Sequence, residues 1–87
     1  MLPPEEKWIK PGTSVWFDEK HLQLGMVIES FVTREQRIGG TVEVLKYWIY
    51  FVSQDRRYPF VHERVVNAAK KMEKIRKTRQ QNESKSR

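Results

Sequence analysis

The stretch Thr41–Val52, TVEVLKYWIYFV, constrains the fold more than any other part of this chain. It is the longest run rich in β-branched and aromatic residues, and it holds neither glycine nor proline. Val42 and Val44 alternate with Glu43, and Tyr47, Ile49 and Phe51 alternate with Trp48, Tyr50 and Val52. Successive side chains of a strand point to opposite faces, so this period-2 pattern reads as a strand. The two alternations are out of phase, because Val42 and Val44 share a parity with Trp48 and Tyr50 rather than with Ile49 and Phe51. Two readings fit: both faces are partly covered, or a bulge near Leu45–Lys46 switches the inward face. A long strand in a small bent sheet favours the bulge. That places Val42 and Val44 inside before the switch, Ile49 and Phe51 inside after it, and Trp48 and Tyr50 outside.

The remaining elements arrange themselves around this strand. Pro3-Pro4 and Glu5-Glu6 suit a short helical turn, ended by Pro11-Gly12. Trp8 and Ile9 are expected to pack on the body as a lid. Ser14–Phe17 reads as a first strand, with Val15 and Phe17 on one face, and Asp18–Leu24 as a polar connection. Gly25–Thr33 reads as a second strand, followed by a loop over Arg34–Gly40. Its closing pair Gly39-Gly40 favours positive φ and a tight reversal, so a hairpin is expected to pair Gly25–Thr33 with Thr41–Val52. Gln54–Arg57 reads as a second turn.

Residues 58–66 carry two patterns at once. Tyr58, Phe60 and His62 alternate as in a short strand, which Pro59 confines to a sheet edge. Val61, Val65, Ala68, Met72 and Ile75 form a helical stripe, and Pro59 equally suits the first turn of that helix. A strand around Tyr58–Val61 and a helix from about Val65 to Arg79, packed on the sheet, reconcile them. The tail from Gln80 lacks apolar residues and is expected to be disordered. The expected fold class is mainly β with a C-terminal helix: a small bent antiparallel sheet over residues 1–66, a basic helix over 67–79 and a polar tail over 80–87.

With these elements in place the chain resembles the SH3-like small β-barrels, Tudor-type and KOW-type modules in particular, over about residues 8–66. The resemblance rests on Pro11-Gly12-Thr13-Ser14-Val15 before and into a first strand, and on Gly25-Met26-Val27-Ile28 opening a second. It continues with Ile49-Tyr50-Phe51 followed by Asp55, and with a short final strand leading into a helical turn at Pro59–Val66. It implies a closed barrel. Tudor-type readers bind methylated side chains in an aromatic cage. Here Asp55 is followed by Arg56-Arg57 and Asp18–Leu24 holds no aromatic ring, so no such cage is expected.

Eighty-seven residues make one domain with one modest core. The absence of cysteine leaves no disulfide and no thiolate metal site. No apolar run approaches the roughly 20 residues of a membrane helix, and MLPPEEKW lacks the pattern of a signal peptide, so a soluble cytoplasmic protein without membrane contact is expected. His21 and His62 stand alone, as surface or boundary residues, without the companions a zinc site needs. Asp18-Glu19 falls in the polar connection, where adjacent carboxylates are usually just solvated. There is no nucleophile elbow, phosphate-binding loop or dinucleotide fingerprint. A non-enzyme is expected, with no cofactor, metal or small-molecule substrate.

The charge points further. Residues 1–61 hold eight Lys/Arg and eight Asp/Glu, so all of the net +6 lies in residues 62–87. A neutral body with a cationic arm is a polyanion binder's charge distribution. With Val65, Ala68, Met72 and Ile75 against the sheet, Lys70, Lys74 and Lys77 form an outer ridge, flanked by Lys71, Arg76 and Arg79. Such a ridge suits phosphate contacts driven by counterion release. Trp48 and Tyr50, with Arg56 and Arg57 at the nearby turn, offer rings on which bases stack. Nucleic acid, DNA or RNA, is the expected partner. The alternative is an acidic protein surface, the chain then serving as an adaptor or an inhibitor of a larger machine.

Overall fold

The computed structural model describes residues 2–19 and 22–85, except for the side chains of Leu22 and of 79–85. After a 3-10 turn at Glu5–Lys7, strands β1 (Ser14–Glu19), β2 (Leu22–Arg37), β3 (Gly40–Phe51) and β4 (Arg56–Val61) lead directly into helix α1 (His62–Lys85). The strands form one antiparallel sheet in the order β1-β2-β3-β4. The chain is thus mainly β with one C-terminal helix.

β3 is central, as its composition demands, but it carries no bulge. Leu45, Tyr47, Ile49 and Phe51 are all buried on one face, and the residues between them are only half-buried. The expected face switch at Leu45–Lys46 is therefore corrected. The irregularity lies across the ladder in β2, where Val27 pairs with Ile49 and Glu29 with Trp48, leaving Ile28 as the extra residue. Val42 and Val44 share the outer parity of Trp48 and Tyr50 and do not face the core. They lie where β2 and β3 pair only with each other, beyond the reach of β1 and β4. There a β-branched residue serves strand conformation rather than burial.

The hairpin itself is formed as expected, and is longer. No breaker interrupts Arg34–Arg37, so β2 runs on to Arg37, and the expected loop shrinks to a turn at Ile38 and Gly39. Gly39 and Gly40 hold φ of 99° and 128°, a region open to glycine at no steric cost. On this arm Glu35 accepts hydrogen bonds from Arg37 (3.0 Å) and Lys46 (3.3 Å), which hold its carboxyl below the usual range. The polar connection over Asp18–Leu24 shrinks likewise: β1 reaches Glu19 and β2 starts at Leu22. His21 lies outside the described residues.

Gly25 is needed for a different reason. A Cβ there would stand 2.6 Å from Ile49 Cγ2 and 3.1 Å from Phe51 Cε1, so the cross-strand side chains occupy the space a side chain would take.

The closed barrel implied by the resemblance is not formed: among the described residues no ladder joins β1 to β4. The sheet curls until Phe17 of β1 and Phe60 of β4 stack at 4.6 Å, and α1 covers the opening. Val65 and Ala68 complete the core, and Arg64 lies over both rings, 4.7 Å from Phe60 and 5.8 Å from Phe17. Arg64 also pairs with Glu19, and Lys71 with Asp18. The two carboxylates expected to be merely solvated thus tie the helix to β1.

Residues 58–66 resolve as strand, then helix. Pro59 sits in the edge strand β4 opposite Trp48, and the helix begins at His62, three residues before the expected Val65. The half-buried His62 places Nδ1 2.8 Å from the buried Tyr47 hydroxyl, which accepts the Ile9 N–H at 3.1 Å. That contact seats the lid: Trp8 and Ile9 pack against the core, with Trp8 Nε1 donating to the Pro3 carbonyl at 2.8 Å. The helix backbone continues through Lys85, past the expected end at Arg79, so the tail expected to be disordered from Gln80 is corrected to helix as far as Lys85.

Candidate nucleic-acid interface

The helical stripe decides which cations reach solvent. Val65 and Ala68 are buried and Met72 and Ile75 half-buried, so one side of α1 is committed to the sheet. At 3.6 residues per turn, Lys70, Lys74 and Lys77 fall on the opposite side. All three are exposed, and among the described residues none of them forms an ion pair. The expected ridge therefore exists, with Glu73 the acid on its flank. Across roughly 10.5 Å of helix axis, seven steps of 1.5 Å, three cations face the same way.

The flanking cations separate. Lys71 is half-buried and engaged with Asp18, so it belongs to the helix–sheet junction and not to the ridge. Arg76 turns to the other flank and lines a cleft. The Arg79 side chain lies outside the described residues.

Trp48, Tyr50, Arg56 and Arg57 are not part of the same surface. α1 packs on the face that carries Tyr47, Ile49 and Phe51, and alternation puts Trp48 and Tyr50 on the other. The structure brings Trp48 and Arg57 together, with the guanidinium 4.9 Å from the ring centroid. From the strand on the other side Phe31 stacks on Trp48 at 5.4 Å and 26°. Trp48 is thus bracketed by its neighbours. Tyr50 donates a hydrogen bond to Asp55, which raises the phenol above its ordinary pKa and fixes the ring to the β3–β4 turn. Arg56 is exposed at the start of β4. Beside these rings Leu24 and Met26 remain 45% and 44% exposed, an apolar margin without a helix over it.

One part of the cationic surface was not legible in the sequence. Between α1 and the segment leading into β1 runs a cleft of about 560 Å³, lined by Lys7, Lys70 and Arg76 above Ile9, Val66 and Ala69. Lys7 sits sixty-three positions from Lys70 in a stretch marked only by Pro and Glu, and nothing local announces that they meet. Among the described residues no group of three or more His, Asp or Glu is placed to hold a metal, and no helix is long and apolar enough to cross a membrane. Comparisons of the chain with protein-family models, with curated proteins and with solved structures yield no match.

Proposed function

We propose that this protein binds nucleic acid, without catalysis, through the outer face of its C-terminal helix. The observation that carries this reading is the ridge of Lys70, Lys74 and Lys77, exposed, without an ion pair among the described residues, and aligned on a helix anchored to a neutral body. Cations so displayed attract phosphates of any sequence, and each phosphate neutralised steepens the salt dependence by about 0.9 on duplex and about 0.7 on single strands. Lys71 and Arg64, paired with β1, hold the scaffold and leave the ridge its charge.

The test is fluorescence anisotropy on labelled oligonucleotides over a salt series. Wild type binds with a log–log slope that K70E/K74E/K77E flattens by about 2–3 units, while circular dichroism of the variant stays unchanged. Absence of binding to both DNA and RNA at low salt refutes the reading. A second reading is favoured by the exposed apolar margin of Leu24 and Met26, Met26 lying opposite Tyr50: an adaptor or inhibitor that docks a protein on the outer sheet face. A partner retained after nuclease digestion, and lost with L24E/M26E, supports it.

A further inference from the structure

We infer that the cleft between α1 and the β1 approach seats one unpaired nucleotide of a bound strand, so that the protein prefers single-stranded to duplex nucleic acid. This rests on the function proposed above and extends it to a substrate class. The cleft has a cationic rim and an apolar floor. Lys7, Lys70 and Arg76 stand around it against a single carboxylate, Glu73, and among the described residues none of the four forms an ion pair. Ile9, Val66 and Ala69 are half-buried and present their remaining surface to the cleft. Ser14 also lines it.

That division of chemistry matches a nucleotide: phosphates for the rim, and base and sugar for the floor. About 560 Å³ lies in the range of sites that take compact organic ligands. A base inside a duplex has both ring faces stacked and its edge paired, so it cannot lie against Ile9, Val66 and Ala69. An unpaired base can. Lys70 belongs to both the cleft and the outer ridge, so a strand tracked by Lys77 and Lys74 arrives at the cleft without leaving positive charge. The occupant is therefore a strand and not a free mononucleotide, which would forgo the ridge.

The experiment measures anisotropy of a single-stranded oligonucleotide and of a duplex of equal length, with wild type, K7Q, R76Q and K74Q. Lys7 and Arg76 are exposed, so these variants fold, and thermal melts verify it. The expected result is at least tenfold tighter binding of the single strand by wild type. K7Q and R76Q each lower the single-strand salt slope by about 0.7 and leave duplex binding within twofold, whereas K74Q weakens both. A 5′-mononucleotide at millimolar concentration displaces neither. Equal affinity for the two forms, or K7Q acting equally on both, overturns the inference and leaves the proposed function standing. A mononucleotide that binds as tightly as the strand overturns the claim of a strand path. No binding of either form removes both.

Discussion

On the inner face of β3, Tyr47, Ile49 and Phe51 are fully buried, whereas Trp48 and Tyr50, one step out of phase, stay half-buried on the outer face. The two sets are chemically alike, so the hydrophobicity of the strand does not decide which becomes core. What decides is what arrives above each face. The inner face receives Val65 and Ala68 from α1, Phe60 from β4, and Leu2, Trp8 and Ile9 from the N-terminal segment. Among the described residues the outer face receives no further element, and Trp48 meets Phe31 and Arg57 from its neighbouring strands. The same asymmetry separates an anchoring side from a side free to meet a partner.

The sharpest way to break this comparison is to truncate one ring on each face. Phe51 contacts Phe17, Tyr58 and Phe60, so Phe51→Ala is expected to cost about 3–5 kcal/mol in urea denaturation. That is a large share of the ~5–15 kcal/mol that keeps a domain folded. Trp48→Ala gives up one stacking and one cation–π contact and is expected to cost about 1–2 kcal/mol. Equal losses would mean that the outer face is covered in solution, as a second copy of the chain would cover it.

Next in size is Gly25, where β2 crosses the inner face. Gly25→Ala drives a methyl against Ile49 and Phe51 in a packed interior and is expected to cost about 1–3 kcal/mol. Its neighbour Met26 faces outward, 44% exposed, and Met26→Ala is expected to stay within about 1 kcal/mol. A Gly25→Ala protein as stable as wild type would show that the inner face has slack.

Much of this architecture was readable from local pattern. The glycine pair at the hairpin turn, the period-2 runs of β1 and β3 and the helical stripe through Val65 and Ala68 each declare their element, because the signal lies within a few residues. Val42 and Val44, expected inside, point outward, because the pattern shows parity but not the point where covering elements stop. The bulge expected in β3 lies instead in β2, at Ile28: the alternation of β3 runs unbroken, and the parity of Val42 and Val44 reflects lost cover rather than a change of face. The ridge of the site was visible as charge at helical spacing. The cleft was not, because its walls come from distant segments, and neither was the removal of Lys71 by Asp18.

The junction between helix and sheet offers a smaller effect. The Lys71–Asp18 pair is open to solvent on the Asp18 side and half-exposed at Lys71, so Lys71→Gln is expected to cost at most about 1 kcal/mol. It is expected to leave nucleic-acid affinity within about twofold, whereas Lys70→Gln lowers the salt slope by about 0.7–0.9. Two adjacent lysines would then differ for a reason that lies in β1. Equal effects on binding would return Lys71 to the ridge.

The smallest effects distinguish the two faces by proton chemistry. Tyr47 and Tyr50 both titrate above the ordinary tyrosine value, but burial raises Tyr47 against the opposing Ile9 amide, whereas the hydrogen bond to Asp55 raises Tyr50. In each case the folded pKa exceeds the unfolded one. The stabilisation is therefore fully present below pH about 10 and is lost as pH rises through the folded value. Asp55 occupies the left-handed region at φ 50°, which asparagine tolerates, so Asp55→Asn keeps the turn and removes the charge. An ultraviolet absorbance titration of that variant is expected to show Tyr50 moving back toward the ordinary value with Tyr47 still late. Tyr47→Phe is expected to abolish the other late phase, and to loosen the lid, because Ile9 N–H and His62 Nδ1 lose their shared partner. If Asp55→Asn left both phases late, burial would govern the outer tyrosine too, and the outer face would be as covered as the inner one.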